Sequence, residues 1–526
     1  MSLRQLTTLR FLPLAILLAA PGLLSGPATA QEAPAQGGGN QVQARLDQGI
    51  QLFKDGEFEA ATQAFSEVIA VVEAQSAYVP GPYLFRAKAL AQLEDYEGAI
   101  EDLKNALTYA QNAPQLQPEI NNTRAEVYMK LDAYQAALPD LQAATKIDRI
   151  NPQYQFNLGK TLVKLGGAEP GEKALTKYLN SDIAAEEDEQ RAEALQLRGA
   201  ANGLLKNEEQ AAADFAASLE IDPTNHETYF ARGQLALGNQ DFVSAIEDLG
   251  LSIENYTPKD ENDTNPFIQA HLARATAFEE YGKQGTSPEE AFDAFARGRA
   301  ECELLLSQLP ETDPQLSPAI AATLFRKGVL ERLSGDLGPA VKSFSKALQI
   351  NPILGEAYFR RGICFFYLGE EKLAIRDFEQ AASIDFDSPR SNLWEGLAWA
   401  QMGDYNESIR AYGESIAVSD RYLPAYVNRG LAHLQQADFS KAVADFNEAI
   451  RLDPTNAIHY YRRGKAYALS GESDKAIKSL MNAVAFNQRL APAYDALADE
   501  LESQGQADLA AEYRNIAQQL TQPPQQ

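Results

Sequence analysis

The sequence predicts an all-α fold, a solenoid of about thirteen stacked helix–turn–helix hairpins. Three observations carry that expectation. Gly328, Gly362, Gly396, Gly430 and Gly464 recur every 34 residues, and Ala498 continues the series. With this small residue numbered position 8, units start at 321, 355, 389, 423, 457 and 491. The same frame runs back, more loosely, through starts near 42, 80, 118, 152, 192, 226 and 268.

Within a unit the columns have a helical explanation. Small residues recur at position 20 (Ala340, Ala374, Ser408, Ala442, Ala476, Ala510) and position 27 (Ala347, Ala381, Ser415, Ala449, Ala483, Ala517). Bulky ones recur at position 24 (Phe344, Phe378, Tyr412, Phe446, Leu480). Positions 4, 8 and 11 share one helical face, and 20, 24 and 27 share another. Small residues there let two helices approach closely while bulky neighbours fill the gaps. Gly335, Gly369, Gly403, Gly471 and Gly505 at position 15 supply the turn between them. Pro352 and Pro454, in Asn-Pro and Asp-Pro, stop the second helix. One such hairpin cannot bury its own apolar face, so the core forms only by stacking.

In chain order, residues 1–30 read as a signal peptide: Arg4 and Arg10, an apolar run from Phe11 to Ala20, then Ala28-Thr29-Ala30 as a cleavage site. Residues 31–41 are a flexible leader. An irregular array follows over 42–308, with acidic inserts at 181–191 and 257–266. The unit at 268 has an enlarged turn at 282–288 and a long second helix. A Pro-rich stretch, 309–320, marks a boundary, with the regular array over 321–520 and a disordered tail at 521–526 beyond it.

The chain has 526 residues, 73 acidic and 46 basic, for a net charge of −27. That balance repels a phosphate backbone, so no nucleic-acid partner is expected. No later stretch is apolar enough to span a membrane, so no stable insertion is expected once the signal is cleaved. Two cysteines, Cys302 and Cys364, and four scattered histidines exclude a disulfide framework and give no metal-binding spacing. The GGAEPGEK run at 166–173 lacks the Gly-Lys-Ser/Thr of a phosphate loop, and Asp260–Asp263 lacks the Gly and Glu of a calcium loop. No catalytic residue, cofactor or metal is nominated.

Two columns bear on function. Position 7 is basic in nine units, and position 23 is Asp in six of them: Arg86 with Asp102, Arg124 with Asp140, Arg198 with Asp214, Arg232 with Asp248, Arg361 with Asp377 and Arg429 with Asp445. Antiparallel helices place these positions opposite each other, which reads as a structural pair inside each hairpin. Arg274, Lys327 and Arg463 lack that Asp and stand as unpaired basic groove residues. An apolar lane also runs along the regular first helices: Phe325, Phe359, Leu393, Val427 and Tyr461 at position 5, Val329, Ile363, Leu397 and Leu431 at position 9, and Phe366 at position 12. Either the lane lines a groove that takes a peptide, or it packs between adjacent first helices.

The 34-residue period, the small columns at 8, 20 and 27, the bulky column at 24 and the Pro at 32 resemble tetratricopeptide repeats. The family's favoured Trp near position 4 is here Tyr (Tyr83, Tyr229, Tyr358, Tyr426, Tyr460, Tyr494), a ring that fills the same slot. The resemblance implies a right-handed superhelix whose first helices line a concave face, and a protein-binding role without catalysis. The expectation is an exported scaffold, periplasmic or secreted, holding one or more proteins or peptides. A carrier of an apolar peptide in the lane is the alternative. An enzyme with a cryptic site in the irregular 268–320 unit is a third reading.

Overall fold

A computed structural model describes residues 38–74, 79–258, 264–285, 287–310 and 313–521. The expected signal peptide, the leader before residue 38, the loop Asp260–Asp263 and residues 522–526 lie outside the described residues. Among the described residues the chain is helix and turn throughout: 26 α-helices, three short 3₁₀ turns and no strand.

The helices succeed one another in chain order as thirteen helix–turn–helix pairs, numbered here as hairpins. Hairpins one to seven are Gly38–Lys54 with Phe58–Ala74, Gly81–Gln92 with Tyr96–Tyr109, Gln117–Lys130 with Tyr134–Ile147, Pro152–Lys164 with Ala168–Leu179, Asp188–Leu204 with Glu208–Ile221, His226–Gly238 with Phe242–Asn255, and Asn265–Gln284 with Pro288–Gln308. Hairpins eight to thirteen are Ser317–Leu333 with Leu337–Ile350, Gly355–Tyr367 with Glu371–Ser383, Ser388–Gln401 with Tyr405–Val418, Leu423–Gln435 with Phe439–Leu452, Ala457–Leu469 with Ser473–Phe486, and Ala491–Ser503 with Ala507–Thr521.

The chain falls into two compact units, Met1–Leu235 and Ala236–Gln526. The division lies inside His226–Gly238, the first helix of hairpin six. The Pro-rich 309–320 stretch is not a division. Ile268, Leu305 and Leu309 on one side of it share a core cluster with Ile320, Leu324 and Ala347 on the other. Apolar side chains placed at both ends of the connection draw the helices together across it. The leader also ends earlier than expected, because the first helix begins at Gly38. The acidic insert 181–191 folds as well: a 3₁₀ turn, Ile183–Ala185, buries Ala184, and the next helix begins at Asp188.

Within each unit the helices other than His226–Gly238 pack chiefly on their neighbours in sequence, and most first helices also touch the first helix of the next hairpin. Size complementarity sets the closeness of each hairpin. A Cβ added at Gly396 would lie 2.5 Å from the Tyr412 ring, and one at Gly362 would lie 2.8 Å from Phe378. All six hairpins with an aromatic ring at position 24 have Gly at 8, whereas Ala87 and Ala125 at position 8 face Leu103 and Leu141. Gly also stands opposite Leu at Gly159 and Gly464, where an added Cβ would lie 2.6 Å from Leu175 and 2.7 Å from Leu480, so a ring requires Gly whereas Leu is met by either small residue.

The turn is equally regular. Position 15 is left-handed at Gly335, Gly369, Gly403, Gly471 and Gly505, with φ of 76° to 82°. Glu94, Asp132, Lys206, Gln240 and Ala437 adopt the same conformation at φ of 53° to 64°, so the hairpin geometry overrides residue preference there. Hairpin seven departs from the pattern because its helices run 20 and 21 residues.

Candidate protein-interaction face

The first helices begin from the column at position 4 and 7. Tyr stacks under the guanidinium one turn on: Arg361 lies 5.5 Å from the Tyr358 centroid, Arg429 5.7 Å from Tyr426 and Arg463 5.4 Å from Tyr460. From that shelf the guanidinium reaches position 23. Arg86 Nε and Nη2 donate to Asp102 Oδ2 and Oδ1, both at 2.7 Å, and Arg124 holds Asp140 in the same way. Arg198 holds Asp214 at 2.9 and 2.6 Å, Arg361 holds Asp377 at 2.8 Å through both oxygens, and Arg429 holds Asp445 at 3.0 and 2.7 Å. These five bidentate pairs bury the Asp and leave the Arg half-buried. Arg232 and Asp248 fall in different units.

A third partner was not foreseen. The remaining Nη1 reaches back to position 25 of the preceding hairpin: Arg86 to Ser66 Oγ at 3.0 Å, Arg198 to Thr176 Oγ1 at 3.2 Å, Arg361 to Ser345 Oγ at 2.9 Å and Arg463 to Asn447 Oδ1 at 2.8 Å. Position 7 therefore staples one hairpin to the next as well as closing its own. The signal was present as a hydroxyl or amide at position 25 of the preceding unit, but it changes type from unit to unit and its distance upstream varies from 16 to 22 residues.

The expected unpaired cations need correction. Arg274 Nη1 meets Glu301 Oε2 at 3.4 Å, and Lys327 Nζ meets Glu303 Oε1 at 2.9 Å. Both acids lie on Pro288–Gln308, whose extra length carries them outside the repeat frame. Arg463 alone of the three meets neutral groups, Ser479 Oγ at 3.2 Å and Asn447.

The apolar lane divides between its two readings. Val329, Phe359 and Leu393 are buried, and Phe325, Ile363, Phe366, Leu397, Val427, Leu431 and Tyr461 are half-buried. Phe359 packs with Phe378, Ile363 and Phe366, and Leu393 with Tyr412 and Leu397. Phe378 and Tyr412 lie on the second helices of the same hairpins, so Phe359 and Leu393 belong to the core of their own hairpins, while the half-buried residues keep part of their surface open.

Hairpin seven gathers titratable groups. His271 Nδ1 lies 2.5 Å from Glu301 Oε1, both buried, while His271 Nε2 has no partner. Glu279 accepts from Lys283 at 2.5 Å and pairs with Arg326. Burial pushes the Cys302 thiol up to about 12 and the Cys364 thiol up to about 11, which keeps both protonated at neutral pH. Burial also lowers His433 and His459, against the pull of Asp445 and Asp453. Among the described residues no three His, Cys, Asp or Glu side chains gather as metal ligands, and no helix is long and apolar enough to cross a membrane. A cleft of about 370 Å³ is lined by Tyr358, Arg361, Phe365, Leu373, Arg376 and Asp377.

Models of the tetratricopeptide repeat match residues 81–112, 355–388, 424–456 and 446–478. The chain therefore contains tetratricopeptide repeats in both units. No curated protein matches it. Among solved structures it is similar to a MamA protein (23% identity, 33% of this chain and 95% of that one, TM-score 0.32). It is also similar to the APC/C hetero-tetramer Cut9-Hcn1 (16%, 92% and 93%, TM-score 0.33). A third is YrrB, titled a TPR protein with an unusual peptide-binding site (18%, 35% and 92%, TM-score 0.31).

Proposed function

We propose that the protein is a non-enzymatic scaffold that binds one or more proteins along its first helices, outside the cytoplasm. The observation that carries this reading is the run of tetratricopeptide repeats itself, matched at four places and continued as thirteen hairpins. A stack of hairpins offers a long preformed surface, and a preformed surface binds without the entropy cost of ordering itself. In hairpin seven, where an enzyme reading places its site, His271 and Glu301 are buried against each other, Glu279 is held by Lys283 and Arg326, and burial keeps the Cys302 thiol protonated. The half-buried lane leaves little apolar surface for a carrier. Export rests on residues 1–30 alone.

The test is affinity capture with the full chain from an envelope fraction, followed by reconstitution with the purified candidate. A saturable one-to-one or fixed-ratio complex supports the scaffold. Failure of every captured protein to bind the purified chain rejects it. N-terminal sequencing of the protein from cells should begin at Gln31; a cytoplasmic protein that retains Met1 rejects export.

A further inference from the structure

Hairpins eleven and twelve each bury a histidine on the first helix, and each imidazole takes a place that other hairpins fill differently. His459 holds position 3, which is small in the rest of the regular array: Thr323, Ala357, Ser391, Ala425 and Ala493. Position 3 faces the hairpin before it, since Ala357 shares a core cluster with Phe344 and Leu348, and Ala425 with Tyr412. The His459 ring therefore lies in the seam between hairpins eleven and twelve. Its Nε2 is 3.7 Å from Oδ2 of Asp453, the residue that caps the second helix of hairpin eleven. Neither ring nitrogen has a hydrogen-bond partner among the described residues. Asp453 Oδ2 accepts instead from Asn456 Nδ2 at 3.0 Å.

His433 holds position 11, inside hairpin eleven. In hairpin five that place belongs to Asn202, whose Nδ2 donates to Asp214 Oδ2 at 3.2 Å. His433 makes no such bond. Its Nε2 lies 4.0 Å from Asp445 Oδ2, and its Nδ1 is sealed from solvent without a partner. Both Asp445 oxygens are already taken by Arg429. The buried cluster that joins the two hairpins is small: Ala442 and Phe446 of one with Ala466 of the other.

An imidazolium carries two N–H donors, and a buried one is costly unless both are met. Here the sealed nitrogens meet no acceptor. The charged groups around His433 are Asp445, Asp438 and Lys441 from the second helix and its cap, and Arg429 from its own helix. Around His459 they are Asp453 of hairpin eleven and Arg462 of its own helix. Burial outweighs the acids at both rings and holds them below their ordinary value of 6.5. The fold thus favours both rings neutral. That stabilisation is complete above 6.5 and is withdrawn as pH falls through the folded values.

We propose that His433 and His459 make the seam of hairpins eleven and twelve an acid-sensitive joint, which opens locally in mildly acid medium and recloses at neutral pH while the histidine-free hairpins eight to ten hold. This goes beyond the scaffold reading and does not depend on it. A partner seated across the joint loses its platform in acid; one seated elsewhere on the array keeps it.

The test is hydrogen exchange of the full chain read by mass spectrometry at pH 7.5 and 5.5, corrected for the intrinsic pH dependence of exchange. Ordinary carboxylates stay ionised across that window, whereas a released imidazole gains its proton. Opening of Leu423–Gln435, Phe439–Leu452 and Ala457–Leu469 should rise at pH 5.5 by up to about tenfold for each ring set free. Helices between Ser317 and Val418 should keep their protection, and a return to pH 7.5 should restore the joint. The double variant H433N/H459A carries residues that the array itself uses at positions 11 and 3, and it should lose the acid response. An equal loss of protection in hairpins eight to ten overturns the proposal. So does an undiminished response in the double variant, or a loss that pH 7.5 does not reverse. A second measurement needs no folded variant of the joint: carbon-13 spectra of the native chain labelled at histidine Cε1, followed through pH. Of the four histidine signals, the two that broaden or shift together with the loss of protection should have midpoints below 6.5. Fewer than two signals with midpoints below 6.5 overturns the joint whatever the variant does.

Discussion

At Gly396 a single hydrogen atom stands where a methyl group would press 2.5 Å from the Tyr412 ring. Tyr412 is almost wholly buried and has no room to turn away. Gly396→Ala should therefore cost about 1–3 kcal/mol, the usual range for an overpacked core. The chain itself supplies the rescue, because hairpins two and three use Ala opposite Leu. In a Tyr412→Leu background the same Gly396→Ala change should cost less than about 1 kcal/mol. Urea midpoints of the four proteins decide this. An equal cost in both backgrounds would mean the glycine is required by the backbone and not by the ring. This packing was legible in sequence, since the columns at 8 and 24 repeat. The lane at positions 5 and 9 was not. Phe359 and Leu393 have the spacing of a groove lining as much as of a core, and it is their contact with Phe378 and Tyr412 on the second helices of the same hairpins that makes them core.

Among elements, hairpin seven and its contact with hairpin eight carry the least regular electrostatics. Burial pushes the Glu279 carboxyl up, but Arg326 and Lys283 outweigh it and hold Glu279 below its ordinary value of 4.5. Burial pushes Glu331 above 4.5, against a hydrogen bond from Ser343. The two carboxylates therefore act on stability with opposite sign. A lowered carboxylate stabilises the fold above its unfolded pKa and gives that stability up as pH falls through the folded value. A raised one favours the fold while protonated and withdraws that help as pH rises through its folded value. Glu279→Gln should lower the melting temperature at pH 7, with the difference shrinking below pH 4.5. Glu331→Gln should leave the pH 7 melting temperature unchanged or higher. Thermal melts of the two variants at pH 7 and in acid test this, and a loss of stability at pH 7 in Glu331→Gln would contradict it. None of these pairs was legible in the sequence. Glu301 and Glu303 sit on a helix lengthened beyond the 34-residue frame, so counting from position 7 could not find the acids that meet Arg274 and Lys327. The five Arg–Asp pairs were legible because both partners belong to one hairpin at a constant separation.

At the scale of the whole chain, each hairpin contacts little beyond its immediate neighbours. Stability in such an array is close to a sum of hairpin terms and nearest-neighbour terms, so damage should stay local. Arg361 joins hairpin nine to hairpin eight through Ser345 as well as closing on Asp377, so it contributes to both kinds of term. Hydrogen exchange read by mass spectrometry can separate local from global loss. In Gly396→Ala, amides of Ser388–Gln401 and Tyr405–Val418 should lose protection, with smaller losses in the hairpins on either side. Helices between Gly38 and Ile221, which belong to the other compact unit, should exchange as in the native chain. The opposite pattern is equally readable. If protection fell together from Gly38 to Thr521, folding would be one cooperative transition, and a surface meant to hold several partners could not yield at one place while staying firm at another.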